Sequence, residues 1–126
     1  MHNPQRGYLE INLGGIVRTL HFSMNFWAFF EQKSGKSISE LAQTFANGFT
    51  IDSLRTIIYC GLMAFDVEED REIDYNEIKV GVWMDDLEVN HIEQITLAMM
   101  SSKMLNPESN NAGLRRGVSK STKSPK

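Results

Sequence analysis

A chain of 126 residues and 14.4 kDa has room for one hydrophobic core, and its 41% apolar and 23% charged residues are those of a soluble globular protein. A lone cysteine rules out an intramolecular disulfide and suits a reducing cytoplasm. The opening Met1 to Arg6 lacks the apolar run of a signal peptide, and no stretch approaches the roughly 20 apolar residues of a membrane span. The formal charge of −3 is unevenly spread: residues 1–105 carry eight Lys/Arg against fifteen Asp/Glu, and residues 106–126 carry five against Glu108 alone. A basic end on an acidic body is the pattern of an interaction tail, although unstructured ends are often simply polar.

The first element is a hairpin. Leu9, Ile11 and Leu13 alternate with Glu10 and Asn12, the period of two that turns one face inward. Gly14-Gly15 supplies a turn able to take positive φ, and Ile16 to Phe22 returns with Ile16, Leu20 and Phe22 on one face and Arg18 interrupting it. Two strands are marginal alone, so helices must cover them. Ser23-Met24-Asn25 caps a segment bearing Phe26, Trp27, Phe29 and Phe30, with Gly35 as its stop. Positions 26–30 sweep about 500° around a helix, so one face cannot hold them all. Trp27 is left over, either as core or as an exposed interface anchor.

Ser37-Ile38-Ser39-Glu40 fits a capping box ahead of Ile38, Leu41 and Phe45, and Asn47-Gly48 closes that turn. Thr50 caps the next helix, with Asp52 in its first turn. Its apolar positions Ile51, Leu54, Ile57, Ile58, Leu62 and Phe65 cover so much of the circumference that it should be the buried centre. Asp74 and Glu77 suit cap and N3 of a helix bearing Ile78, Val82, Trp83 and Leu87. Asn90 and Glu93 repeat the arrangement before Ile92, Ile95, Met99 and Met100. From Asn106 the only apolar residues larger than alanine are Leu114 and Val118, too few to offset the entropy of ordering. The expectation is an α+β fold, mostly α. A single mostly helical domain over 1–105 holds an N-terminal β-hairpin and about five short helices, and a disordered basic tail spans 106–126.

Chemistry-bearing patterns are few. A twelve-residue loop from Asp66 would set oxygen ligands Asp66, Glu68, Asp70, Asp74 and Glu77 at EF-hand positions 1, 3, 5, 9 and 12, a spacing that lets a looping backbone surround one calcium ion. Arg71, however, stands at position 6, where the turn demands glycine, and no second loop exists to pair with it. The alternative is an acidic surface loop whose Asp74 caps the following helix. His2, His21 and His91 lack metal-ligand spacing, and Cys60 lies in the most apolar helix as a small buried hydrophobe. Gly14-Gly15 joins strands and opens no phosphate-binding helix, and Asp85-Asp86 point to different sides of a helix. No catalytic group, cofactor or resident metal is expected. The tail's basic residues, Arg115 and Arg116 among them, could neutralise a few phosphates, but no aromatic accompanies them and the body would repel a duplex. A protein partner is therefore expected, and neither nucleic acid nor membrane.

The runs Leu20-His21-Phe22-Ser23-Met24-Asn25 and Phe30-Glu31-Gln32-Lys33-Ser34-Gly35-Lys36-Ser37-Ile38 resemble the opening of tail assembly chaperones of long-tailed double-stranded DNA bacteriophages. Ile57-Ile58-Tyr59-Cys60-Gly61-Leu62 is similar to that family's helix ending in an aliphatic-Tyr-small-Gly-Leu segment. An acidic break and Ile73-Asp74-Tyr75-Asn76-Glu77-Ile78, then Val82-Trp83-Met84-Asp85, follow in the same order, so the resemblance spans residues 7–100. It implies a small helical protein of the bacterial host cytoplasm, absent from the finished virion. Such a protein binds the long tape measure protein and helps recruit tail tube subunits around it. It also implies that residues 106–126 are either the short product's terminus or a linker to a frameshifted extension. No site residues are carried over.

A holding chaperone needs adaptable apolar surface, which Met99, Met100 and Met104 would supply if they are not core. Self-association into a homo-oligomer follows if the last helix has no intramolecular cover. Two further functions remain open at this stage: an EF-hand-like calcium-binding regulator, and a generic adaptor protein of a mobile element.

Overall fold

The computed structural model describes residues 7–37, 39–40, 43, 47–48 and 50–102. Within them a two-stranded antiparallel hairpin precedes four α-helices, a helix-dominated α+β arrangement. Strands β1 (Tyr8–Leu13) and β2 (Ile16–His21) pair from Leu13↔Ile16 to Tyr8↔His21, so the connection is the two residues Gly14 and Gly15. Their φ values of 68° and 84° are both left-handed, as the tight turns that match strand twist require. The Asn12 side chain accepts a hydrogen bond from Gly15 N at 3.1 Å and closes the turn.

Leu9, Ile11 and Leu13 are buried as the alternation predicts, together with Leu20 and Phe22. Ile16 departs from expectation and is exposed. It flanks the turn, where the inner face opens onto a cleft beside Leu62 and Tyr75 instead of a packed helix. Arg18 fits the inner face because its charge finds π faces: the guanidinium lies 4.1 Å over Trp83, and Nε donates to Leu13 O at 3.2 Å.

Helix α1 (Met24–Ser34) starts where the Ser23 hydroxyl accepts from Phe26 N and stops at Gly35, whose φ of 74° lets its N–H reach Glu31 O at 2.8 Å. Phe26, Trp27 and Phe30 are all buried. Phe26 meets Phe22 and Trp27 edge-on at 4.8 Å each and stacks on Phe30 at 5.7 Å. Trp27, with 2% of its surface exposed, is a core residue and not an interface anchor. Phe22, just past β2, and the helix Ile51–Glu68 pack on the inner side of α1. Burying such a ring contributes about 1.5–3 kcal/mol relative to exposure.

The capping box at residues 37–40 forms: Ser37 N donates to Glu40 Oε1 at 2.8 Å and Glu40 N to Ser37 Oγ at 3.3 Å. Ile38, Leu41 and Phe45, the apolar positions expected after it, lie outside the described residues. Helix α2 (Ile51–Glu68) is capped by Thr50, which accepts from Ser53 N at 3.0 Å. It buries eight residues, Leu54, Ile57, Ile58, Leu62 and Phe65 among them, and packs on β2, α1 and the helix that follows it. Ile51 is exposed because it opens the helix one turn before the core begins.

Helix α3 (Glu77–Met84) is capped by Asn76, not Asp74: Asn76 Oδ1 accepts from Lys79 N at 2.8 Å, whereas Asp74 sits two residues before that cap. Val80 is its buried residue, and Trp83 packs partly against the core. Ile78 and Val82, expected on the inner face, point outward one turn apart, and Leu87 lies beyond the helix end. Helix α4 (Val89–Met100), by contrast, begins earlier than Asn90 would allow. Glu88 is the cap, and its N–H donates to His91 Nδ1 at 2.9 Å, so histidine takes the N3 role expected of Glu93. Ile95, Ala98 and Met99 are buried, and the helix lies against β1.

The turn glycines differ in surroundings. A Cβ on Gly14 would overlap the Trp83 indole, whereas one on Gly15 would meet open space. Both substitutions carry left-handed strain of about 1–2 kcal/mol. Thermal melts should therefore rank Gly14→Ala well below Gly15→Ala, with the latter lowering Tm by only a few degrees.

Candidate partner-binding surface and its supports

Glu68 ends α2, where a carboxylate faces the negative end of the helix dipole. Its position is rescued by the start of α1. Glu68 Oε2 accepts from Ser23 Oγ at 2.5 Å and Asn25 Nδ2 at 2.9 Å, and Oε1 lies 2.6 Å from His21 Nδ1. The His21 ring is held flat against Tyr8, with centroids 3.8 Å apart. Burial alone would raise the Glu68 pKa. The hydrogen bonds from Ser23, Asn25 and His21, with the imidazole's charge, outweigh it and hold the carboxyl below its ordinary 4.5. These contacts join residues 43 to 47 apart in sequence, and no local pattern announces them.

The five carboxylates with EF-hand spacing are dispersed. Asp66 and Glu68 are helical, because α2 continues through both. Asp66 accepts from the Tyr75 hydroxyl at 2.6 Å, and Glu77 lies 3.7 Å from Lys33. Asp70, at φ 58°, turns the chain out of the helix, and Arg71 N closes that turn on Asp66 O at 2.7 Å. Asp74 is exposed. Among the described residues no three His, Cys, Asp or Glu side chains are grouped to hold a metal ion. Cys60 is buried in α2, and desolvation pushes its thiol up to about 12. Burial likewise raises the Tyr75 hydroxyl, with the Asp66 hydrogen bond adding to it.

The methionine candidates separate. Met99 is fully buried on the inner side of α4, while Met100 is 49% exposed. Met104, Arg115 and Arg116 lie outside the described residues. Two exposed apolar residues that the sequence did not single out join Met100: Val89 and Leu97, the latter 69% exposed. At 100° per residue Val89, Leu97 and Met100 fall within about 80° of one another, opposite Ile95 and Ala98. On α3, Ile78 and Val82 form a second outward pair. No helix among the described residues is long and apolar enough to cross a membrane.

In comparisons with known proteins, the chain matches no family model, no curated sequence and no solved structure.

Two outcomes follow from the buried groups. Because Glu68 has a lowered pKa in the fold, its stabilisation is complete above its ordinary value and is lost as pH falls through the lowered one. Glu68→Gln should lower Tm by roughly 3–5 °C at pH 7, and the gap to the wild type should close progressively as the pH falls below the ordinary 4.5. Cys60 should resist iodoacetamide at pH 8 in the native protein and become alkylated only in denaturant, which mass spectrometry reads directly.

Proposed function

We propose that this protein is a non-catalytic tail assembly chaperone of a long-tailed bacteriophage or prophage. It would hold the tape measure protein in the host cytoplasm and help tail tube subunits gather around it. The observation that carries this reading is the outer face of α4, where Val89, Leu97 and Met100 are presented to solvent in register. Exposed apolar side chains aligned on one helix face suit the capture of an amphipathic partner helix, whose own apolar positions recur every three to four residues. The Ile78 and Val82 pair on α3 offers a second strip of the same character. The acidic body, net −7 over residues 1–105, would keep such a complex soluble. The ordered resemblance of residues 7–100 to that chaperone family supports the identity of the partner.

Co-expression with a cognate tape measure protein tests the reading. The wild type should keep that protein soluble and co-purify with it. Leu97→Glu combined with Met100→Glu should weaken the complex by about tenfold or more. Tm should change little, since exposed positions contribute within about 0.5 kcal/mol of stability. A complex of undiminished affinity in both that variant and Ile78→Glu/Val82→Glu would sink the assignment of these faces. Failure of the wild type to bind or solubilise the tape measure protein would sink the chaperone role itself.

A further inference from the structure

Hydrogen-bonded and non-hydrogen-bonded pairs alternate along an antiparallel ladder. Phe22 N donates to Gly7 O at 2.7 Å, which makes that pair a bonded one. Counting back in twos through the register, Leu20, Arg18 and Ile16 also bond to β1. The N–H and C=O groups of Val17 and Thr19 must therefore point away from β1. Among the described residues the sheet has two strands, and none of them neighbours this side of β2. Among the described residues nothing else bonds to the main chain of Val17 or Thr19. An open edge with unpaired donors and acceptors is a template for another strand.

The surroundings of this edge state what kind of strand fits. Ile16 to Thr19 form one side of a cleft of about 210 Å³, and the segment from Arg71 to Tyr75 forms the other. The charges within it are unequally engaged. Asp66 is bonded to Tyr75, Arg18 lies over Trp83, and the Arg71 guanidinium lies 5.7 Å over Phe65. Glu72 and Asp74 remain exposed on the wall, and among the described residues neither has a cationic partner. Val17 presents an apolar side chain beside them, 63% exposed.

We propose that the β2 edge at Val17–Thr19 binds an extended segment of a partner protein in which Lys or Arg alternates with small apolar residues. Main-chain bonds to Val17 and Thr19 supply affinity, and Glu72 and Asp74 select the basic residues. A second copy fits less well, because edge-to-edge pairing about a dyad would bring two acidic walls to one seam. The edge uses none of the outward residues of α3 and α4, and the proposal does not depend on what those faces bind.

The test is titration of the full-length protein with a fluorescein-labelled peptide, Thr-Val-Lys-Val-Arg-Val-Thr, read by anisotropy, with amide hydrogen exchange followed by NMR. Saturable binding should slow exchange at Val17 and Thr19. Affinity should fall about tenfold or more when Glu replaces Lys and Arg in the peptide, and again when alternate peptide amides are N-methylated. Glu72→Lys with Asp74→Lys, both at exposed positions, should reproduce the loss without lowering Tm. Affinity that ignores N-methylation, or no saturation at millimolar peptide, overturns strand addition. Protection of the two amides that grows with protein concentration alone would assign the edge to a second copy. Concentration-independent protection without peptide, lost in Arg115→Glu/Arg116→Glu, would assign it to the chain's own basic end. Either result overturns the proposal.

Discussion

A two-stranded hairpin is marginal in water, and the rest of this structure depends on how its inner face is closed. The closure rests on a near contact of backbone and side chain. A Cβ built on Gly61 of α2 would lie 3.1 Å from Leu20 Cβ and Cδ2, so the helix approaches the strand more closely than most side chains would allow. That approach seals Leu20 completely and brings Ile57, Ile58 and Leu62 against the same layer. At the other end of the hairpin the Trp83 indole occupies the space over Gly14, and the Arg18 guanidinium lies over the same ring. The hairpin is thus clamped at two points, one tight at Gly61 and one with no room for a side chain at Gly14.

Electrostatics ties the same elements together at the end away from the turn. Glu68 terminates α2, His21 terminates β2, and Ser23 begins α1, and the three meet within hydrogen-bond distance. The Ser23 hydroxyl accepts from Phe26 N while donating to Glu68, so one side chain both starts a helix and anchors another. A carboxylate that would be unfavourable at the end of an isolated α2 becomes favourable because the positive end of α1 lies beside it. The arrangement fixes the angle at which the chain leaves the sheet, and with it the placement of the aromatic cluster on α1.

A helical layer closed so tightly on one side keeps apolar side chains exposed on its opposite side. The outward residues of α3 and α4 offer helix-sized apolar strips, and the free edge of β2 offers main-chain groups beside exposed carboxylates. These surfaces call on different physics, burial in one case and directional hydrogen bonding in the other. A helical and an extended segment bound as proposed would therefore not compete for the same atoms.

What the sequence determined by itself was whatever is satisfied within a few residues. The Gly14-Gly15 turn, the inward alternation of Leu9, Ile11 and Leu13, the caps at Ser23, Ser37 and Thr50, the stop at Gly35 and the burial of α2 were all legible. Even there, rival caps two residues apart misled: Asn76 takes the role from Asp74 by accepting from Lys79 N, and Glu88 takes it from Asn90 with His91 as its N3 partner. The five carboxylates spaced like calcium ligands were legible as a pattern but not as a group. Continuation of α2 through Glu68 sends Asp66 toward Tyr75 and Glu68 toward His21. Only the tertiary structure decided that Trp27 and Met99 face inward while Ile78, Val82, Leu97 and Met100 face out. Helical spacing says which side chains share a face, but the neighbours that cover a face come from distant parts of the chain. Burial is decided by those neighbours, whereas turns and caps are decided by the four or five residues that make them.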